Sequence, residues 1–210
     1  MNISYQKIID ISLPLNEQTI LYPGNPAVSF EHFGSASGSS FNSKISMSSH
    51  SGTHMDAPRH AFKDGTGVDQ IDLQKVIGPC RVIDFTACKT EITVDDLQAK
   101  NIQKEERILF KTTNSFRGFD TFYNDYIYLS GQGAIYLAEL GVSLVGIDAL
   151  SIKKKGLPDN TSHSALLSKN IPILEGINLR DVEPGEYFLL AAPIKFTGLD
   201  GSPLRAVLLQ

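Results

Sequence analysis

Tryptophan is absent, and cysteine, methionine and histidine are scarce, with two, three and five residues among 210. Without tryptophan, any surface that stacks on an aromatic ring has to use tyrosine or phenylalanine. The two cysteines, Cys80 and Cys88, form no CxxC pair and lie in or beside a strand-like stretch. That excludes a disulfide framework and leaves them as free buried thiols. Long apolar runs are missing too: nothing approaches the ~20 apolar residues that cross a bilayer. The opening Met-Asn-Ile-Ser-Tyr-Gln-Lys-Ile-Ile-Asp has no unbroken apolar segment of the kind a signal peptide needs. The protein is therefore expected to be soluble and cytoplasmic, with no membrane partner. Nor is there a basic excess. With 19 Lys and Arg against 23 Asp and Glu, the net charge is -4, which offers no field for a phosphate backbone and argues against a nucleic-acid partner. The one basic run, Lys153-Lys154-Lys155, reads as a solvated loop.

What is present is concentrated in one place. Three of the five histidines fall within His50-Ser-Gly-Thr-His54-Met-Asp56-Ala-Pro-Arg-His60, where a uniform scatter would put about 0.3 of them. The four polar residues are separated by even steps, and an extended chain sends every second side chain to the same side. On a helix the same four would fall at roughly 0°, 40°, 240° and 280°, splitting them into two pairs. Gly52 and Pro58 also oppose a regular helix, and Pro58 would interrupt a strand ladder. The segment is therefore expected to be a strand end passing into an ordered loop, with one pocket receiving His50, His54, Asp56 and His60.

Imidazole nitrogen with carboxylate oxygen suits zinc, manganese, iron or a related divalent ion, and the absence of a thiolate speaks against a closed structural zinc site. An open, water-bearing site fits better. Downstream, the remaining candidate ligands are His163, opening His-Ser-Ala-Leu-Leu, and Glu175, in Ile-Leu-Glu-Gly-Ile. Asp56 and Glu175 could each bridge two ions, which leaves one or two metals open at this point. His32, in Val-Ser-Phe-Glu-His-Phe, reads as an ordinary packed or surface histidine. A non-catalytic metal-binding module would use the same ligands but fill every coordination position, so the role of His60, as ligand or as free base, separates the two.

The rest of the chain reads as α/β with more strand than helix. Expected strands are Ile8–Leu13, Ala27–Phe33, Lys44–Ser48, Arg81–Phe85, Arg107–Lys111, Ser143–Ile147, Tyr187–Ala191 and Ala206–Leu209, each bounded by turn signals. Thr93-Val-Asp-Asp opens a helix with a hydroxyl cap, a second helix over Gln132–Leu140 stops at Gly141, and a third starts near Ser162 and stops before Pro172. Ser130-Gly-Gln-Gly133 lacks both the full dinucleotide glycine pattern and the Walker lysine, so it reads as a turn that opens a helix. Gly34–Ser40, rich in Gly and Ser, reads as a flexible loop near the site. No internal repeat is visible, and the length suits one domain over residues 1–210.

Taken together, these segments resemble the metal-dependent cyclase-like hydrolases, the family that includes bacterial kynurenine formamidase (arylformamidase). The resemblance runs from Asp10-Ile-Ser-Leu-Pro-Leu and Tyr22-Pro-Gly-Asn-Pro through the His50–His60 signature. It continues through Gly146-Ile-Asp-Ala-Leu-Ser-Ile, His163-Ser-Ala-Leu-Leu and Ile173-Leu-Glu-Gly-Ile to Gly201-Ser-Pro-Leu-Arg-Ala-Val. It implies a single mixed β/β/α domain packed as a homodimer or larger homo-oligomer. It also implies two divalent ions, zinc first and manganese as the alternative. By the same resemblance His50, His54 and Asp56 hold the first ion, Asp56 also reaches the second, His163 completes that second site, Glu175 corresponds to the bridging carboxylate, and His60 moves the proton. The implied activity is hydrolysis of a small amide: N-formyl-L-kynurenine in tryptophan catabolism or, in related members, a cyclic amide such as isatin or a lactone. Tyr22 stands where kynurenine formamidases typically carry tryptophan, and it can still stack on an aryl ring.

Overall fold

Ile-Leu-Phe at 108–110 and Leu-Val-Gly-Ile at 144–147 are nearly unbroken apolar runs, the pattern of strands covered on both faces, and they lie at the centre of the main sheet. The structure is a computed structural model that describes residues 5–35 and 38–210. Its first strands are β1 (Ile8–Asp10), the hairpin pair β2 (Ser29–Gly34) and β3 (Phe41–Ser46), and β4 (His54–Asp56). Next come α1 (Leu73–Val76), β5 (Ile77–Asp84), β6 (Glu91–Ile92), α2 (Val94–Gln98), β7 (Arg107–Lys111), α3 (Asn114–Arg117) and β8 (Tyr128–Leu129). Then follow α4 (Gly131–Leu140), β9 (Leu144–Ile147), α5 (Thr161–Ser168), β10 (Ile173–Glu175), β11 (Gly185–Leu190), β12 (Gly201–Pro203) and β13 (Val207–Leu209). The expected α/β class with more strand than helix is what forms.

Among the described residues, nine strands make one mixed sheet in the order β1-β13-β11-β5-β7-β9-β10-β4-β12. The four central strands, β5, β7, β9 and β10, are parallel, and antiparallel strands extend the sheet on both sides. Strand pleating divides the core in two. Ile108, Phe110, Val145, Ile147 and Ile173 pack with Leu137 of α4 and Leu166 of α5, while Leu109, Leu144, Leu174 and Met55 point to the opposite core with Ile11, Leu189 and Leu208. Gly146 sits where a side chain would collide with Leu109.

Each expected strand overlaps an observed one, and the three expected helices form. Thr93 and Asp96 make a reciprocal capping box, Ser130 accepts from the Gly133 N–H, and Gly141 takes the left-handed conformation that ends α4. The Gly34–Ser40 segment is the tip of the β2–β3 hairpin. Its residues 36 and 37 lie outside the described residues, and its described residues do not line the site. Cys80 and Cys88 are free, with burial pushing their thiols up to about 12 and about 11. No helix among the described residues is long and apolar enough to cross a membrane.

Candidate functional site

Strand β4 carries His54 and Asp56 on one side and turns Met55 into the opposite core. Strand β10 runs antiparallel beside it, with Glu175 directly across from His54 and Ile173 across from Asp56. Two glycines let the flanking loops touch. Gly52 and Gly176 both have positive φ, at 59° and 68°, and a Cβ on Gly176 would collide with the Gly52 carbonyl oxygen. Thr53 Oγ1 spans the same gap, donating to the Gly176 carbonyl at 2.5 Å.

The two-residue spacing governs only His54 and Asp56, which share the strand. His50 enters from the turn before Gly52. His60 ends a 3-10 turn, Pro58–His60, whose first residue is the proline, where its missing N–H costs nothing. The four side chains still meet, by turns rather than along one extended chain. Helix α5 supplies His163, which its first turn buries. All six residues singled out from the sequence for metal and proton chemistry therefore converge, five of them on the wall of one cleft of about 250 Å³ shared with Tyr22, Asn25, Leu150, Ser151, Lys153 and Asn160.

His50 Nδ1 lies 2.8 Å from Asp56 Oδ1, and His54 Nε2 lies 3.5 Å from the same oxygen and 3.3 Å from Glu175 Oε2. His163 Nε2 lies 3.3 Å from Glu175 Oε1 and 3.6 Å from Asp56 Oδ2. His60 stacks between His50 and His163, with ring centroids 4.2 and 5.0 Å away. Three sets of ligand atoms each gather within 4.8 Å: His50–His54–Asp56, Asp56–His60–His163 and His50–His60–Asp200. Asp56 belongs to the first two.

The outer nitrogens of three imidazoles are fixed by oxygens that can only accept. His54 Nδ1 donates to the Gly52 carbonyl at 2.9 Å, His163 Nδ1 to Asn160 Oδ1 at 3.0 Å, and His50 Nε2 to Asp200 Oδ2 at 2.9 Å. Their remaining nitrogens then face carboxylates, where each can hold a proton or offer a lone pair to a cation. Despite the short approach of His50, neither oxygen of Asp56 has an aligned hydrogen bond, and His54 Nε2 has none either, although all three atoms are buried. Buried polar atoms left in this state are costly, and a divalent cation among them would satisfy every one. The donor set therefore fits a metal.

Charge in the cluster tells the same story. Burial opposes protonation of His50, yet Asp56 and Asp200 push it up to about 10. Burial would raise Asp56, but His60, His50 and His54 hold it well below the usual carboxylate range. Burial and Asp56 push Glu175 up, but the close approach of His163 and His54 outweighs them and holds it low. His163 is raised, because Glu175 outweighs the burial that would lower it. His60 goes the other way: burial lowers it, and His50 and His163 repel a second charge. Among the described residues nothing hydrogen-bonds its ring.

Asp200, one residue before the Gly201-Ser-Pro segment, was not legible as a site residue in the sequence. It binds His50 and also accepts from Ser49 Oγ at 2.9 Å. Asn160 was missed in the same way, since an amide that orients a histidine leaves no spacing signal. The Lys153–Lys155 run departs from its expected solvated state. Lys153 lines the cleft, and Lys154 lies over the Tyr126 and Tyr128 rings at 5.6 and 5.7 Å. Tyr22 lines the cleft and is met edge-on by Phe122 behind it, with centroids 5.4 Å apart. His32 is exposed, and its ring bonds Ser43 Oγ at 2.9 Å.

A mixed sheet that ends in a cleft of converging histidines and carboxylates defines the class as an α/β protein built around a divalent-metal centre. The model of the Cyclase family, described as "Putative cyclase", matches residues 9–154. A kynurenine formamidase of Bacillus cytotoxicus is 37% identical over 203 residues, covering 95% of this chain and 96% of that protein. The structure of a predicted metal-dependent hydrolase from Bacillus stearothermophilus superposes with a TM-score of 0.84 at 37% identity, covering 96% of this chain and 97% of the other. Isatin hydrolase A from Ralstonia solanacearum gives 0.83 at 27% identity, covering 97% and 91%. The chain belongs to the cyclase family.

Proposed function

We propose that this chain is a metal-dependent amidohydrolase that cleaves a small aryl formamide, with N-formyl-L-kynurenine to L-kynurenine and formate as the leading reaction. The observation that carries the reading is the gathering of three imidazoles and two buried carboxylates at one open cleft, beside a fourth histidine whose ring no described residue hydrogen-bonds. His50, His54 and Asp56 would hold one divalent ion, and Asp56, His163 and Glu175 a second, zinc before manganese. Such ions supply Lewis-acid polarisation of a carbonyl and make a water acidic near neutral pH.

The chain's own groups do the rest. His60, kept neutral by burial and by its histidine neighbours, accepts a proton from the attacking water and returns it to the leaving nitrogen. Water adds across the C–N bond, with oxygen to the formyl carbon and hydrogen to the amine. Tyr22, backed by Phe122, offers an aromatic edge for an aryl substrate. Asp200 and Asn160 fix the rings of His50 and His163.

Purified protein loaded with zinc or manganese is expected to release formate from N-formyl-L-kynurenine and to lose this activity on chelation. His60→Ala is expected to keep the metal stoichiometry by elemental analysis while kcat falls about 10²–10⁴-fold. Loss of metal together with activity would reassign His60 as a ligand. A second reading, opening of a cyclic amide such as isatin, is favoured by the 0.83 TM-score to isatin hydrolase A. Isatin turnover in the same assay, without formamide turnover, would replace the first reading with the second.

A further inference from the structure

Lys153 is a charged residue of the cleft wall whose chemistry the proposed reaction leaves unused. Its backbone is fixed on both sides: its N–H donates to Ser151 Oγ at 3.3 Å, and its carbonyl accepts from the Tyr126 hydroxyl. The next two lysines are tied away from the site. Lys154 Nζ donates to the Asn124 carbonyl and lies over two tyrosine rings, and Lys155 Nζ reaches Asn124 Oδ1 at 3.5 Å while lying 5.5 Å from the Phe122 centroid.

Lys153 is different. It is half-buried against the cleft, and among the described residues no carboxylate comes within 4.0 Å of its ammonium and no hydrogen bond engages it. Its charge is felt on both sides, by His163 within the cluster and by the exposed Asp159 at the rim. Asp159 is occupied with capping, accepting from the Thr161 N–H at 3.0 Å. The carboxylates inside the cleft, Asp56 and Glu175, already face histidines. An ammonium kept partly out of water gains most from an anion that is brought to it.

We propose that Lys153 receives a carboxylate of the substrate, so that the cleft selects aryl amides bearing an anionic side chain over neutral ones. The inference rests on the amidohydrolase reading and adds the substrate class. Tyr22 would take the ring, the histidine–carboxylate cluster the amide, and Lys153 the charged end.

The test compares N-formyl-L-kynurenine with N-(2-acetylphenyl)formamide, which keeps the aryl formamide and ketone but has no carboxylate. Lys153→Met is expected to raise KM for the first substrate about tenfold to a hundredfold and to leave the second within about twofold. Lys153→Arg is expected to restore most of the loss. An equal effect on both substrates, or on neither, overturns the assignment. If wild-type protein hydrolyses neither compound, the reaction is wrong, and binding then decides the lysine separately. Calorimetry on metal-loaded protein should show 2-aminobenzoate weakened about tenfold or more by Lys153→Met and 2-aminoacetophenone unchanged. Equal binding of 2-aminobenzoate by both proteins overturns the inference.

Discussion

An imidazole lone pair facing a carboxylate is repulsive unless a proton or a cation lies between them, and this chain repeats that pairing three times around Asp56 and Glu175. What commits each ring to the arrangement is the acceptor on its far side, and for His50 that acceptor is the part-exposed Asp200. A carboxylate behind a ligating histidine orients the ring and raises its basicity, and its loss typically weakens metal binding about 10–100-fold. Asp200→Asn is therefore expected to lower affinity by that order in a chelator competition, with an unchanged circular dichroism spectrum. Unaltered affinity would remove Asp200 from the site. Cation uptake also has to displace the protons that Asp56, Asp200 and Glu175 hold on His50 and His163, so affinity should weaken as pH falls. The His50–His60 cluster was legible from composition and spacing, whereas the case for His163 and Glu175 rested on the family resemblance. Asp200 was not legible, because its partner is 150 positions away and a single aspartate beside a glycine is an ordinary turn signal.

At the scale of elements, the contact between Gly52 and Gly176 sets how closely the two ligating strands approach. Gly176→Ala would carry a left-handed strain and a collision with the Gly52 carbonyl, whereas Gly156→Ala, at φ 84° with nothing within 4 Å, would carry the strain alone. We expect Gly176→Ala to cost about 1–3 kcal/mol more than Gly156→Ala by urea denaturation, and to weaken metal binding as well. Equal costs would mean the loops can move apart freely. The elements that sequence reasoning found are those with their own local signals: the capping box at Thr93, the glycine stop at Gly141, and the apolar runs of β7 and β9. Strands β10 and β12 have three residues each, too few for a period to show. They exist because β4 needs partners, and that requirement is tertiary. Pro58 gave the right warning, since the ladder does end before it, but the 3-10 turn that redirects His60 has no signature of its own.

For the whole molecule, the sheet order explains how residues from 50 to 200 reach one cleft: β10, β4 and β12 lie side by side at one edge, and α5 packs against β10. A cation that binds this cleft and not the unfolded chain must stabilise the fold. At a free metal concentration about a hundred times Kd, the gain is about 2.7 kcal/mol. Chelation should therefore lower Tm, and re-addition of zinc should restore it, as read by calorimetry. An unchanged Tm would mean that the cleft binds no cation with useful affinity. The same sheet order bears on synthesis. Both neighbours of β4 are made long after it, so on the ribosome the histidine-rich segment waits unpaired while most of the chain is still to be translated, as nonlocal pairing requires. A nascent polypeptide at that stage carries His50, His54, Asp56 and His60 without the imidazole and carboxylates that later segments bring to them.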